Sequence, residues 1–312
     1  YSSRKTKILN IICVLLVLTT GVIRLTRASY RSVSSSTLIF FLFILSGLIW
    51  LVQIRRRVIR PEERKYLELT AVLLLFLIII KTVKYVFVPS GSWFSRYIWY
   101  LYYFPQTFIV VSMLFAVLHT GLAYGTQMDQ RWKLLYIPAA AIVGGILTND
   151  LHQLAFSFPQ GIEMWDELYV HGPLYFVSII WVVLLFIIMI TIALRRCATM
   201  ENRHNIWMPI IPLAIGIIYM VMFLMDHDML LHRLFKTTEV IGFIFPAFME
   251  ALIQAGLFPT NDGYENLWKI SGLQGGIMDN DGRVLFESDS SISVSKDMIR
   301  EAEAFAVLLQ NG

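Results

Sequence analysis

Charged residues are scarce in this chain of 312 residues: only 15% are Asp, Glu, Lys or Arg, whereas soluble globular domains carry about 25%. Hydrophobic residues make up 57% and aromatic residues 14%, and such a composition excludes a disordered chain. The only two cysteines, Cys13 and Cys197, exclude a disulfide scaffold. A chain with so few charges and so many apolar residues is expected to be solvated by lipid.

Catalytic sequence motifs are also missing. The chain has no His-Glu-x-x-His, no Gly-x-Ser-x-Gly, no phosphate-binding glycine loop and no Cys-x-x-Cys. The histidines and aspartates of the predicted outer side have no spacing that is diagnostic of a metal site. We therefore predict no enzyme activity, no cofactor and no bound metal. Nucleic-acid binding is not expected, because the basic residues flank the apolar runs.

Long apolar runs dominate the first 257 residues. A bilayer core of about 30 Å requires about 20 helical residues to cross it. The runs predict an all-α polytopic membrane bundle of seven or eight transmembrane helices. They cover roughly 8–23, 37–54, 66–88, 96–118, 134–151, 173–194, 206–225 and 238–257.

The first run, residues 8–23, has two interpretations. It is short and follows Arg4, Lys5 and Lys7, as the apolar core of a signal peptide does. The residues after it form a poor cleavage site, which favours a retained helix. We treat residues 1–36 as an N-terminal extra helix or signal segment with a loop, and 37–257 as a seven-helix membrane domain.

The basic residues predict the orientation. If the N-terminus is cytoplasmic, the inner loops hold more Lys and Arg than the outer ones, with the triplet Arg55–Arg57 as the strongest anchor. The long loop from about 152 to 172 has no Lys or Arg, which favours an outer position. We expect a multi-pass protein of the bacterial cytoplasmic membrane, in contact with the lipid bilayer, with its C-terminus in the cytoplasm.

Residues 258–312 have a soluble composition. The segment 276–286 reads as strand, turn and strand around Asp281-Gly282, and Ser295 can cap a helix that runs to about Leu309. One hairpin and one helix are marginal as an independent fold. We expect a linker and the beginning of a larger α+β domain in the cytoplasm.

Polar residues inside the apolar runs gather near their predicted outer ends. Ionisable groups in a membrane are functional candidates, because each costs several kcal/mol unless it is paired or hydrated. An outward pocket for a small-molecule ligand, with aromatic walls and a few polar groups, is the hypothesis that they favour. The candidate ligand-binding residues are Lys81, Lys84, Tyr100, Tyr103, Gln106, Asn149, Asp150, His152, Asp226 and Glu239.

Less specific roles remain open for several of these residues. The two lysines could extend to the lipid headgroups, and the tyrosines near position 100 could form an interfacial aromatic belt. Asp150 and His152 could simply terminate their helix, and Asp226 could lie in an exposed turn.

A second set lies toward the predicted inner side. Glu250 and Gln254 are four residues apart on one helix face, and Trp268 follows in the tail. A carboxyl group at the depth of Glu250 needs a partner or a proton. We predict that Glu250, Gln254 and Trp268 transmit a signal from the membrane domain to the tail.

Four segments together are similar to a known family. They are Arg96–Tyr103, the segment Leu147–Phe156 with its Thr-Asn-x-Leu-His phrase, His171–Tyr175, and Gly256–Asn261. Over residues 37–262 the chain resembles the N-terminal seven-transmembrane sensor region of histidine kinases from Gram-positive bacteria. The tail resembles the start of a PAS-like domain.

The resemblance implies a receptor that detects an extracellular or membrane signal and passes it to a cytosolic kinase or response-regulator output, as a homodimer. It transfers no ligand. Residues 8–23 are an addition to the family pattern, and the chain contains neither a phosphoacceptor histidine region nor an ATP-binding domain. A transporter or proton-coupled carrier is the alternative function, although no internal repeat is visible.

Overall fold

The computed structural model is mostly helical. It describes residues 2–26, 33–120, 122, 128–166, 168–196, 207–225, 235–260, 276–278 and 284–287. The chain divides into two compact units, Tyr1–Phe258 and Pro259–Gly312.

The first unit is a bundle of helices with one small antiparallel sheet. The helices are α1 (Ser2–Thr26), α2 (Val33–Arg57), α3 (Pro61–Phe87), α4 (Trp93–Leu101), α5 (Tyr103–His119), α6 (Tyr136–Leu147), α7 (Asn149–His152), α8 (Pro173–Arg196), α9 (Ile210–Met225) and α10 (Thr237–Gln254). Two 3₁₀ turns cover Gln130–Leu135 and Ile162–Met164. Strands β1 (Phe156–Ser157) and β2 (Val170–His171) pair Phe156 with His171.

Five helical segments are long and apolar enough to cross a membrane within the described residues. They are Thr6–Arg24, Thr37–Arg57, Pro61–Phe87, Trp93–His119 and Pro173–Arg196, and Ile210–Phe223 is a shorter apolar helix. The prediction of a helical membrane bundle is confirmed in this coarser form. The higher count of seven or eight spans needs α6, α9 and α10 as well.

Local sequence sets several helix boundaries. Pro61 begins α3 at a position where a missing N–H costs nothing, and Glu62 and Glu63 follow in the first turn. The Ser92 hydroxyl caps α4 by accepting from the Ser95 N–H at 3.2 Å. The single predicted helix 96–118 is interrupted after Leu101, because Pro105 has no N–H to donate to the preceding turn.

The core lies between α3 and α5. Phe115 and several neighbours on α5 are fully buried, and they pack with Leu67 of α3, Leu185 of α8 and Phe248 of α10. Helix α1 belongs to the same compact unit. A Cβ added to Gly21 of α1 would meet the Phe235 ring at 2.8 Å, so α1 lies close to the residues that precede α10.

Apolar side chains cover the outer faces of α8 and α9. Ile180 and Ile187 of α8 and Ile211 and Ile217 of α9 are each more than half exposed. A water-soluble monomer rarely exposes such a surface, whereas lipid solvates it. These faces therefore complement the spans in defining a membrane protein.

The second unit contains two described strands, β3 (Gly276–Met278) and β4 (Val284–Glu287). They pair antiparallel, with Ile277 opposite Phe286 and an irregularity after Ile277. Both lie in the segment for which the sequence predicts a hairpin. The helix predicted from Ser295 to Leu309 lies outside the described residues.

Candidate functional site

A cavity of about 800 Å³ opens at the end of the bundle where the turn between α3 and α4 lies. We call this end the Gly91 end, and the opposite end, with the turn between α2 and α3, the Arg57 end. Among the described residues the cavity is lined by Lys84, Tyr85, Val88, Ser90, Gly91, Ser95, Trp99, Tyr102, Trp165, Asp166, Tyr169, Phe223, Lys236, Thr237 and Thr238.

Five parts of the chain build this cavity: the end of α3, the turn into α4, the loop 165–169, α9 and the start of α10. The Trp165 indole N–H donates to the Gly91 carbonyl at 3.1 Å and fixes the loop against the turn. Gly91 has φ 79°, which a residue with a side chain rarely adopts. The wall is thus fixed by the backbone of the turn.

Lys84 is held among aromatic rings. Its ammonium lies 5.0 Å from the centroid of Trp165, 5.3 Å from that of Tyr85 and 5.8 Å from that of Tyr102. These distances suit cation–π contacts. No carboxylate within the described part of the chain forms an ion pair with Lys84.

Lys236 approaches the same ring from the other side of the cavity, with its ammonium 5.3 Å from the centroid of Tyr85. It likewise has no ion-pair partner in the described ranges. Asp166 is the only carboxylate among the described lining residues, and it is exposed. The cavity therefore contains two cations and one anion.

Tyr169 adds a hydroxyl group to the wall from the loop between the two small strands. Burial raises the pKa of Tyr169 above its ordinary value, and the neighbouring Tyr85 adds to the effect. The phenol therefore stays protonated near neutral pH and can donate a hydrogen bond to a ligand.

A buried ion-pair cluster lies next to the cavity. Glu239 accepts hydrogen bonds from the ammonium of Lys81 and the guanidinium of Arg24, both at 2.6 Å. Lys81 also donates to the Thr238 hydroxyl at 2.7 Å, and the Lys236 backbone N–H donates to Glu239 at 3.1 Å. The cluster joins α1 and α3 to the first turn of α10, and Thr238 lines the cavity as well.

Asp150 forms a second buried cluster, outside the cavity lining. Its Oδ2 accepts from Arg96 at 2.8 and 3.2 Å, and its Oδ1 accepts from the Tyr100 hydroxyl at 2.8 Å. Arg96 also donates to the Ile162 carbonyl at 2.8 Å. These contacts tie α4 to α7 and to the following loop.

Asn149 uses its whole amide group to hold that loop. Its oxygen accepts from the N–H groups of Ala155 and Phe156, at 2.9 and 3.0 Å. Its nitrogen donates to the Phe156 carbonyl at 2.8 Å and to the Tyr100 hydroxyl at 3.2 Å. The side chain is fully buried, so the Thr-Asn-x-Leu-His phrase contains a structural clamp.

The other predicted residues of this region lie outside the cavity lining. His152 is exposed, accepts from the Leu154 N–H at 3.0 Å and lies 3.3 Å from the Thr148 hydroxyl. The Tyr103 ring packs against Phe156. The Gln106 side chain forms no hydrogen bond with the described residues. Of the ten predicted ligand-binding residues, only Lys84 lines the cavity, and Lys81 and Glu239 lie beside it.

Glu250 has a partner at the Arg57 end. Its Oε1 accepts from Arg57 at 2.7 Å, from Asn10 at 2.8 Å and from Gln254 at 3.2 Å. Its Oε2 is buried, and so is the amide of Gln53; neither has a hydrogen-bond partner in the described ranges. Glu250 thus joins α10 to α1 and α2, and Gln254 supports it.

Sequence reasoning missed several residues of this site. Lys236, Trp165 and Tyr169 lie just outside the helices and showed no periodic pattern. The arginine partners of Glu239 and Glu250 were visible only as topology markers. Two predicted residues, Asp226 and Trp268, lie outside the described residues.

Comparisons with known proteins give no relative. No family model, no curated protein and no solved structure matches this chain. The fold and the site define a polytopic helical membrane protein with a charged, aromatic cavity at one end.

Proposed function

We propose that this chain is the sensor region of a membrane receptor. A small molecule binds in the cavity at the Gly91 end, and α10 carries the change to the second unit. The observation that supports this proposal is the position of α10. Lys236, Thr237 and Thr238, at its start, line the cavity, and its end at Gln254 leads directly into residues 259–312.

Helix α10 is suited to such a role because a buried carboxylate anchors each of its ends. Glu239 is bound to α1 and α3, and Glu250 is bound to α1 and α2. The two residues are about three turns, or roughly 16 Å, apart along the helix. A ligand that changes the first cluster thus acts on a helix whose far end is attached to two others.

The proposal includes an orientation and a membrane of residence. The Gly91 end faces outward, the second unit lies in the cytoplasm, and seven or eight helices cross a bacterial cytoplasmic membrane. The buried ion pairs support this alternation, because Arg24–Glu239, Arg96–Asp150 and Arg57–Glu250 each join residues that the basic-residue pattern assigns to one face.

The likeness to histidine kinase sensor regions gives the proposal its output. The second unit is the beginning of a PAS-like domain, and a kinase core or a response regulator follows as partner. Its two described strands, β3 and β4, are compatible with a PAS-like sheet. A homodimer is part of the proposal, since the family acts through paired chains.

A carrier is the second candidate function. The buried Oε2 of Glu250 and the amide of Gln53, without partners in the described ranges, are polar groups of the kind that an ion path requires. Glu250 is, however, already bound to Arg57 at 2.7 Å. We rank the carrier second for this reason.

The test fills the cavity without a ligand. Thr237→Trp places a large ring among the lining residues, and Val221→Trp places the same ring on the exposed face of α9 as a control. Hydrogen exchange of the whole chain in lipid nanodiscs is compared by mass spectrometry. A sensor changes exchange in 255–312 for Thr237→Trp alone. Equal exchange in all three proteins overturns the proposal, as does substrate flux into vesicles.

A further inference from the structure

We propose that the ligand of this cavity is an organic anion: a carboxylate, or a comparable oxyanion, joined to a flat apolar ring system. The anionic group binds between the ammonium groups of Lys84 and Lys236, and the ring stacks on the aromatic wall. This inference names the ligand class of the proposed sensor and so rests on that function.

The charge of the cavity is the first argument. Lys84 and Lys236 contact the same ring, that of Tyr85, each at 5.3 Å from its centroid. Two like charges at close range in a partly buried site repel each other, and neither has a carboxylate within the described residues to compensate it. An anion between them removes both penalties.

The aromatic wall is the second argument. Trp99 and Trp165 stack with centroids 5.6 Å apart and an interplanar angle of 25°. Tyr85, Tyr102 and Tyr169 extend the same wall. Such rings bind a flat ligand by offset stacking or edge contact. A volume of about 800 Å³ admits a molecule larger than a simple inorganic ion.

An aromatic cage usually indicates a cationic ligand, and this possibility has to be weighed. Here the cage already holds a cation, because the Lys84 ammonium lies over Tyr85, Tyr102 and Trp165. A cationic ligand would meet Lys84 at the rings and Lys236 opposite. The protein's own lysines therefore select against it.

The start of α10 adds a third, independent contribution. Thr237 is the first residue of this 18-residue helix and lines the cavity. The first N–H groups of a helix lack partners within it, and the helix dipole places partial positive charge there. Hydroxyl groups of Thr237 and Ser90 complete the donors around the anion.

The test compares three ligands with one ring and different charge. They are 5-fluoroindole-3-acetate, its neutral acetamide and the cationic 5-fluorotryptamine, titrated against the whole chain in phosphatidylcholine nanodiscs. Fluorine NMR line broadening reports binding, and empty nanodiscs correct for partition into lipid. We expect the acetate to bind about tenfold or more tightly than the acetamide, the difference that a charge-assisted hydrogen bond provides.

The variants locate the site. Lys84→Met and Lys236→Met should each weaken acetate binding about tenfold, and Lys84→Arg should retain most of it. The exposed Lys133→Met is the matched control and should leave binding unchanged. Equal binding of acetate and acetamide, tighter binding of the tryptamine, no binding of the acetate, or full binding by both methionine variants overturns the proposal.

This experiment fails separately from the test of the sensor. Anion binding without any change of exchange in 255–312 refutes the sensor and leaves the ligand class intact. Altered exchange in Thr237→Trp without anion binding refutes the ligand class and leaves the sensor intact.

Discussion

Replacement of Glu239 by Gln removes the one carboxylate that neutralises two basic side chains at the Gly91 end. Lys81 and Arg24 both donate to its Oε1 at 2.6 Å. The side chains of Lys81 and Glu239 are each only 4% exposed, so water does not compensate the lysine once the carboxylate has gone. The variant keeps the shape and loses the charge.

The magnitude follows from the burial. Removing one partner of a buried ion pair costs about 3–5 kcal/mol, because the remaining charge is left unpaired in a region of low dielectric constant. The Gln side chain can still accept one hydrogen bond, which places Glu239→Gln at the lower end, about 3 kcal/mol. A membrane domain with ordinary marginal stability would lose a large part of its free energy of unfolding.

The measurement is reversible unfolding in mixed micelles, followed by tryptophan fluorescence as the fraction of denaturing detergent rises. Glu62→Gln, at an exposed position of α3, is the control and should change the unfolding free energy by less than about 0.5 kcal/mol. In a double-mutant cycle with Lys81→Met, the two losses should overlap by about 1 kcal/mol or more. A loss below about 1 kcal/mol for Glu239→Gln, or strictly additive losses, would refute the reasoning.

Three further predictions use the same unfolding assay. Arg57→Met leaves Glu250 without its guanidinium and should cost about 3 kcal/mol, whereas the exposed Arg56→Met should cost little. Asn149→Ala removes all four hydrogen bonds of the amide and should cost about 3 kcal/mol, with extra hydrogen exchange confined to 153–158 if the clamp is real. Burial among aromatic rings holds the pKa of His171 below its ordinary value, so the unfolded chain binds the proton first and stability should fall as the pH drops through about 6.5; His171→Gln should flatten this pH dependence, and an unchanged profile would contradict it.

Helix positions could be predicted because the bilayer imposes length and composition on a span. The predicted run 66–88 lies almost wholly within α3, and only its start was misplaced, since Pro61 and the two glutamates extend the helix toward polar residues. The break after Leu101 was not predicted. It results from Pro105 and Tyr102, whose effect on the helix depends on packing as well as on the missing N–H.

The site could be predicted only in part. Lys84 and Glu239 stood out because charge within an apolar run is conspicuous. Their surroundings did not, because the ring cage of Lys84 combines residues 63 and 81 positions away from the cavity residues Asp228-free loops cannot reveal from a single sequence.

 In plain terms, Trp165 and Tyr102 reach Lys84 from a distant loop and from the next helix. Such contacts depend on how the helices pack.

Asp150 and its neighbours illustrate the same limit. Their phrase was conspicuous in the sequence, and its polar residues suggested a binding site. In the structure Asp150 is bound to Arg96 and Tyr100, and Asn149 is bound to the loop that follows. A structural clamp and a ligand site use the same residue types, and only the positions of the partners distinguish them.

The balance of charge locates the functional end of the bundle. Glu239, Asp150 and Glu250 each accept hydrogen bonds from a basic side chain at 2.6–2.8 Å. Lys84 and Lys236 are different, because rings surround them and no described carboxylate pairs with them. Cations without counterions destabilise a partly buried site unless an anion binds there. Binding of an anion between these two lysines should therefore stabilise the folded protein, and the start of α10 is among the elements that such binding would order.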